Sequence, residues 1–225
     1  MTPCEILIKR GVTRLCHFTK FSSLTQIITS EDGILASNSI RSDIKDVTDV
    51  ARYDGELDHI CCSVEFPNSW FLKRAEQNNR DKIFRDWVVI YIKPVVLNAR
   101  QAKYCPCNAS KAYGSYICDK MQTVESIFDT NVPAFDYSRS QFMLSCCPTN
   151  GQAEILIKQN IPRKYFSGIA VNNIDMAQRV YSMLKMLDFK DLPIFISPDV
   201  FTKRWSELAR VGRRPKEILF EGEEE

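Results

Sequence analysis

The run Trp87-Val88-Val89-Ile90-Tyr91-Ile92 constrains the fold more than any other stretch of the chain. Six apolar residues without a polar interruption leave no face of a strand for water. This strand must therefore lie inside a sheet covered on both sides. Shorter strand signals surround it, at 14–18, 59–66, 151–159, 168–171 and 192–196. Helix signals lie between them. Thr2-Pro3-Cys4-Glu5 is a capping box, with Gly11 as the stop. Ser22 or Ser23 is placed to cap a helix whose apolar face is Leu24, Ile27 and Ile28. Pro67-Asn68-Ser69 opens another through Trp70 and Phe71, and Asn173 caps a helix over 175–186. Many short strands with interspersed helices predict one α+β domain, a mixed or antiparallel sheet flanked by helices. The 225 residues suit such a unit. The domain is expected over 1–213, with a charged, flexible tail over 214–225. The polar stretch 37–58 has no sustained period and reads as a functional loop.

Charge and composition exclude more than they assign. The net charge of +2 sets up no global field for a polyanion, so a nucleic-acid contact needs a local patch. Lys203, Arg204, Arg210, Arg213, Arg214 and Lys216 around Trp205 are a candidate. No apolar run reaches eighteen residues, so no membrane contact is expected. The first residues read as a helix start and not as a secretory leader. With nine cysteines, an odd count, reduced thiols in a cytoplasm are the economical reading. Two histidines and unpaired cysteine spacings argue for no metal.

There is no Gly-x-Gly-x-x-Gly, no Gly-Lys-Ser/Thr, no Gly-x-Ser-x-Gly and no His-Glu-x-x-His. Two features remain. His17, with Phe18 and Thr19, ends an early strand. Glu154 stands near the start of another in Asn150-Gly151-Gln152-Ala153-Glu154. Singly, each has an ordinary reading as a structural histidine and a surface carboxylate.

Their order and flanks are more telling. Leu15-Cys-His17-Phe-Thr19-x-x-x-Ser23-Leu-x-x-Ile27, then Asp32-Gly33-Ile34-Leu35 and Asn38-Ser39, resembles the opening block of the DarT family. Residues 59–69, His-Ile-Cys-Cys-Ser-Val-Glu-Phe and then Ser69, resemble that family's aromatic-rich strand and proline-serine segment. Gly151-Gln152-Ala153-Glu154-Ile155-Leu156-Ile157, followed by Ile161-Pro162 and Gly168-Ile169, resembles its closing Gln-Ala-Glu block, the most specific of the three.

The resemblance implies an ADP-ribosyltransferase-like domain and a toxin that moves ADP-ribose from NAD to a nucleic-acid base. It implies catalytic roles for Glu154 and, by position, Arg52, with Arg41 as a rival. It places His17, Phe18, Thr19 and Asn38 at NAD, and Lys111, Tyr113 and Gln152 at the acceptor. Tyr53, Tyr113 and Phe66 are candidates for stacking on nicotinamide or a base. Thymidine in single-stranded DNA is the family's acceptor. Ser110-Lys111-Ala112-Tyr113 stands where the family often has Ser-His-Ala-Tyr, which keeps RNA bases and guanine in DNA as alternatives. Transfer to protein and a non-enzymatic nucleic-acid-binding module on the same scaffold are further alternatives. A cognate antitoxin, a macrodomain hydrolase or an inhibitory protein, is the implied partner, and phage defence the implied setting.

Overall fold

The computed structural model describes residues 1–40, 53–78 and 86–222. In chain order the elements are α1 (Pro3–Lys9), β1 (Leu15–Lys20), α2 (Phe21–Thr29), β2 (Ile34–Leu35), β3 (His59–Val64), α3 (Ser69–Asn78), β4 (Trp87–Ile92), β5 (Ala102–Cys105) and α4 (Gln122–Ser126). They continue as β6 (Glu154–Lys158), β7 (Asn160–Ile161), β8 (Phe166–Val171), α5 (Ile174–Met186), β9 (Ile194–Ile196), α6 (Arg204–Arg210) and β10 (Ile218–Leu219).

Among the described residues one sheet runs β10-β9-β8-β4-β1-β3-β6-β5. Its neighbours are antiparallel except β8 and β9. The all-apolar β4 lies near its middle, between β1 and β8, with every residue buried. This is the position its sequence demands, since only a strand covered on both faces can use six apolar side chains.

Local signals account for the helix starts. Thr2 and Glu5 form the reciprocal capping box of α1, and Asn173 Oδ1 accepts the Met176 N–H at the start of α5. The start of α2 differs from expectation. It begins directly at Phe21 after Lys20, with no side-chain cap from Ser22 or Ser23. The Asp32-Gly33 turn needs glycine twice over. Gly33 has φ +65°, and a Cβ there would come within 2.3 Å of the Ile161 carbonyl oxygen.

Two expectations about the C-terminal region are corrected. Residues 214–222 are not a loose tail. Ile218 and Leu219 pair with Ile196 and Phe195 at the sheet edge. Arg214 bonds the Glu65 carboxylate at 2.6 Å, and Glu217 accepts from Arg14 at 2.8 Å. Trp205 is not a stacking surface among basic residues. It is fully buried against Phe66, and its Nε1 donates to Ser69 Oγ at 3.2 Å. Phe66 is likewise core and takes no part in stacking on a ligand.

Candidate active site

The cleft begins where the sheet splits. β1 pairs with β4 along its whole length, from Leu15↔Ile92 to Lys20↔Trp87. With β3 it pairs only at Leu15↔Val64 and Cys16↔Ser63. Beyond Cys16 the two strands part. His17 spans the gap, its Nδ1 3.0 Å from the Cys61 carbonyl oxygen. A carbonyl only accepts, so Nδ1 carries the proton, and in the neutral ring Nε2 is then the acceptor. The side chain takes over from the ladder and is fixed by doing so.

A cavity of about 1410 Å³, counted with its opening to solvent, fills the split. Its walls include His17, Phe18 and Thr19 from β1, Ser63 from β3, Asn68 before α3, and Glu154 at the start of β6. Phe18 is held there by Phe71 and Trp87, at ring distances of 5.8 and 5.6 Å.

Glu154 lies between two strands, opposite Ser63 on β3 and Cys105 on β5. It is buried at 7% exposure, so the surface reading of this carboxylate fails. Its oxygens meet only donors. Asn108 Nδ2 donates to Oε1 at 2.9 Å, Asn68 Nδ2 to the same oxygen at 3.4 Å, and the Ala109 N–H to Oε2 at 3.1 Å. Desolvation by burial pushes its pKa up, to about 7, against the opposing pull of these hydrogen bonds; nearby Asp54 pushes in the same direction as burial. A carboxyl that holds its proton near neutrality, in a cleft, is suited to exchange protons with a reacting group.

The sequence marks none of these three groups as donors to Glu154. Asn68 is marked only as a helix cap. It does serve as one, accepting the Phe71 N–H at 3.1 Å, while its amide nitrogen turns to Glu154. Asn108 stands 46 residues before the carboxylate it holds, and no local pattern joins them.

The other expected site residues are placed differently. Asn38 is exposed, lies outside the cavity wall, and donates its N–H to the Leu57 carbonyl at 3.2 Å; most of the polar stretch read as a loop lies outside the described residues. Gln152 sits in the turn before β6, its N–H on Asn150 Oδ1 at 3.0 Å, also off the wall. Lys111 and Tyr113 follow the lining residues Asn108 and Ser110 and are exposed outside the cavity. Tyr53 meets Tyr113 edge to face at 6.1 Å. Arg52 and its rival Arg41 lie outside the described residues.

Gly151 explains part of the Gln-Ala-Glu block. A Cβ there would stand 2.8 Å from the buried Trp205 ring and 3.1 Å from that of Trp70. We expect Gly151→Ala to cost about 1–3 kcal/mol through overpacking. In urea unfolding this reads as a lower midpoint at unchanged slope. An unaltered midpoint would show that the rings yield freely.

Other clusters carry structure. All nine cysteines are free thiols. Glu56, Asp58 and His59 bring metal-ligand atom types together, but His59 Nδ1 already meets Asp58 at 2.7 Å and Glu56 at 3.0 Å. Glu56 in turn takes Lys103 at 2.6 Å. Among the described residues no helix is long and apolar enough to cross a membrane.

Comparison with solved structures places this split sheet. Thermus sp. 2.9 DarT in complex with ADP-ribosylated single-stranded DNA superposes with a TM-score of 0.61 at 14% identity, over 85% of this chain and 97% of that one. The same Thermus protein in complex with NAD⁺ gives 0.57 at 15% identity, over 84% and 97%. Thermosipho africanus DarTG in complex with ADP-ribose gives 0.56 at 16% identity, over 84% of this chain and 51% of that longer one. No curated protein matches the sequence. The split sheet and its cleft share the fold of these proteins, which were solved with NAD⁺, with ADP-ribose and with ADP-ribosylated single-stranded DNA. The family model for DarT, the single-stranded-DNA thymidine ADP-ribosyltransferase, matches residues 16–202. The chain belongs to the DarT family.

Proposed function

We propose that this protein transfers ADP-ribose from NAD to thymidine in single-stranded DNA, with Glu154 as the residue that carries the chemistry. The supporting observation is the buried Glu154 carboxyl in the same cleft as His17, surrounded by hydrogen-bond donors and titrating near neutrality. The family model names this acceptor, and one solved relative holds ADP-ribosylated single-stranded DNA. RNA and guanine gain no comparable support.

In this reading the bond from nicotinamide to the ribose anomeric carbon breaks, and positive charge develops on the sugar. Such a centre resembles that of glycoside cleavage. The ionised Glu154 stabilises it from a position fixed by Asn108, Asn68 and the Ala109 N–H. A ring nitrogen of the base then bonds to that carbon and gives its proton to Glu154. His17, locked onto the Cys61 carbonyl, positions NAD, with Phe18 and Thr19 beside it. Arg52 balances negative charge on the base as its proton leaves. Lys111 and Tyr113 meet the acceptor strand outside the cavity. Uncontrolled modification of DNA harms a cell, so we also infer a toxin paired with an antidote that removes the mark or blocks the enzyme, working in a cytoplasm.

Incubation with NAD labelled in its adenylate half and a thymidine-containing single strand tests this. Label should enter the DNA. Label on RNA or on protein alone would overturn the acceptor. The ionised carboxylate is the working form, so kcat/KM should rise with pH and level off above about 7. A profile that is flat from pH 5 to 8 would count against Glu154 as the proton acceptor.

A further inference from the structure

Exposed aromatic side chains are costly unless something covers them. Two pairs of aromatics stand outside the cavity wall, on adjoining segments. Tyr53 and Tyr113, 57% and 82% exposed, meet at 6.1 Å with rings nearly perpendicular. Phe135 and Tyr137 meet at 5.6 Å, and Tyr137 is 63% exposed. The Arg210 guanidinium, at the end of α6, stands over both rings of the second pair, 5.8 and 5.5 Å from their centroids.

The two pairs are physically joined. Ser110 lines the cavity, and Lys111 and Tyr113 follow it in the chain. Lys111 Nζ donates to the Ala134 carbonyl at 2.7 Å, and Phe135 is the next residue. The backbone is held in an unfavourable form at both stations, with φ of +49° at Ala112, +53° at Tyr113 and +61° at Ala134. Non-glycine residues persist there only when their surroundings hold them, and such positions gather at functional surfaces. Among the described residues, neither Lys111 nor Arg210 is paired with a carboxylate.

We propose that these residues form a track for single-stranded DNA that leads away from the cleft. Bases stack on Tyr53–Tyr113 and then on Phe135–Tyr137, with Lys111 and Arg210 as the flanking cations. The proposal rests on the transfer of ADP-ribose to DNA argued above and extends it to nucleotides beyond the modified one. Alternation of aromatic faces with cations that no carboxylate neutralises is what a flexible polyanion with exposed base faces requires. The exposed Asp136 lies between Phe135 and Tyr137 in the chain, so attachment at this station depends on stacking more than on phosphate charge.

The test is binding by fluorescence anisotropy, without NAD, of labelled single strands of about four and about twelve nucleotides, each with one thymidine. Tyr137→Ala and Arg210→Ala are the variants, both at exposed positions away from the cavity wall. Both should bind the longer strand about tenfold more weakly, the scale of one lost base–aromatic stack, and the shorter strand as before. Transfer to the shorter strand should be unchanged. Unaltered affinity for the longer strand, or an equal loss on both lengths, overturns the track. So does a loss seen only with RNA of the same sequence, or a wild-type protein that binds no single strand. If the wild type modifies the short strand and the variants bind the long one normally, the track alone fails. If neither strand is modified yet the length-dependent loss is found, the track stands and the transfer reading fails.

Discussion

Glu154→Gln should lose at least about a hundredfold in the rate of ADP-ribose transfer, the lower range for a positioned base or electrostatic group. The same substitution should make the protein less sensitive to pH. Burial holds the Glu154 carboxyl at about 7 in the folded chain, against an ordinary 4.5. Between those values the folded protein keeps a proton that the unfolded chain releases. Folding stability therefore falls as pH rises from about 4.5 to about 7, and the loss is complete above that range. The gap corresponds to about 3 kcal/mol. Glutamine does not titrate, so the stability of the variant relative to wild type should climb by about that amount from pH 4 to pH 8. Its absolute stability is a less direct measure, because Asn108, Asn68 and the Ala109 N–H all donate toward this side chain. A glutamine amide must set one donor against another. Urea unfolding of both proteins across the pH range reads the slope. Parallel curves would mean that Glu154 is not buried as a proton-holding group. Near-normal transfer by the variant would remove it from the chemistry.

How far the sequence reveals this site depends on which contacts are local. The strand at Trp87–Ile92 and the caps at Thr2 and Asn173 follow from neighbours within a few residues, and they form as read. His17 and Glu154 stood out only through the order of their flanking blocks, because nothing within either segment shows that they share a cleft. The split between β1 and β3 brings them to one cavity, and a split in a ladder leaves no mark in one strand's composition. The donors around Glu154 come from 86, 46 and 45 residues upstream. Six basic residues dominate the sequence around Trp205 and mask its place in the core. The pattern that would have placed it was present, since Trp205 and Ala209 are four apart and share the buried face of α6. Ile218 and Leu219 leave no strand signal, because two apolar residues between charges fall below any periodicity.

The same C-terminal segment supplies the second large effect. Arg214→Ala should destabilise the protein by about 1–3 kcal/mol, because it removes the partner of a buried carboxylate while the Arg214 side chain, 48% exposed, is itself screened by solvent. Glu65 is completely buried and stands just after β3, in a left-handed conformation with φ +62°. Its carboxylate accepts the Thr13 N–H at 2.7 Å and the Thr13 hydroxyl at 3.0 Å. Its ion-pair partner is Arg214, at 2.6 Å. Arg14 is no substitute, because its Nε donates to the Glu65 carbonyl and its Nη1 is paired with Glu217. Removing the guanidinium strands a carboxylate where water does not reach. Replacing both partners, with Glu65→Leu added to Arg214→Ala, should recover part of the loss, since the buried carboxylate left without its cation is then gone. Equilibrium unfolding in urea of the two variants against wild type measures the difference. If Arg214→Ala shifts the midpoint by less than the equivalent of about 1 kcal/mol, the contact is worth no more than an exposed ion pair. The final strand would then be only an attachment to the domain. A large loss with partial recovery makes residues 214–222 part of what keeps β1 and β3 together at their closed end. His17 and Glu154 line the cleft that opens beyond that end.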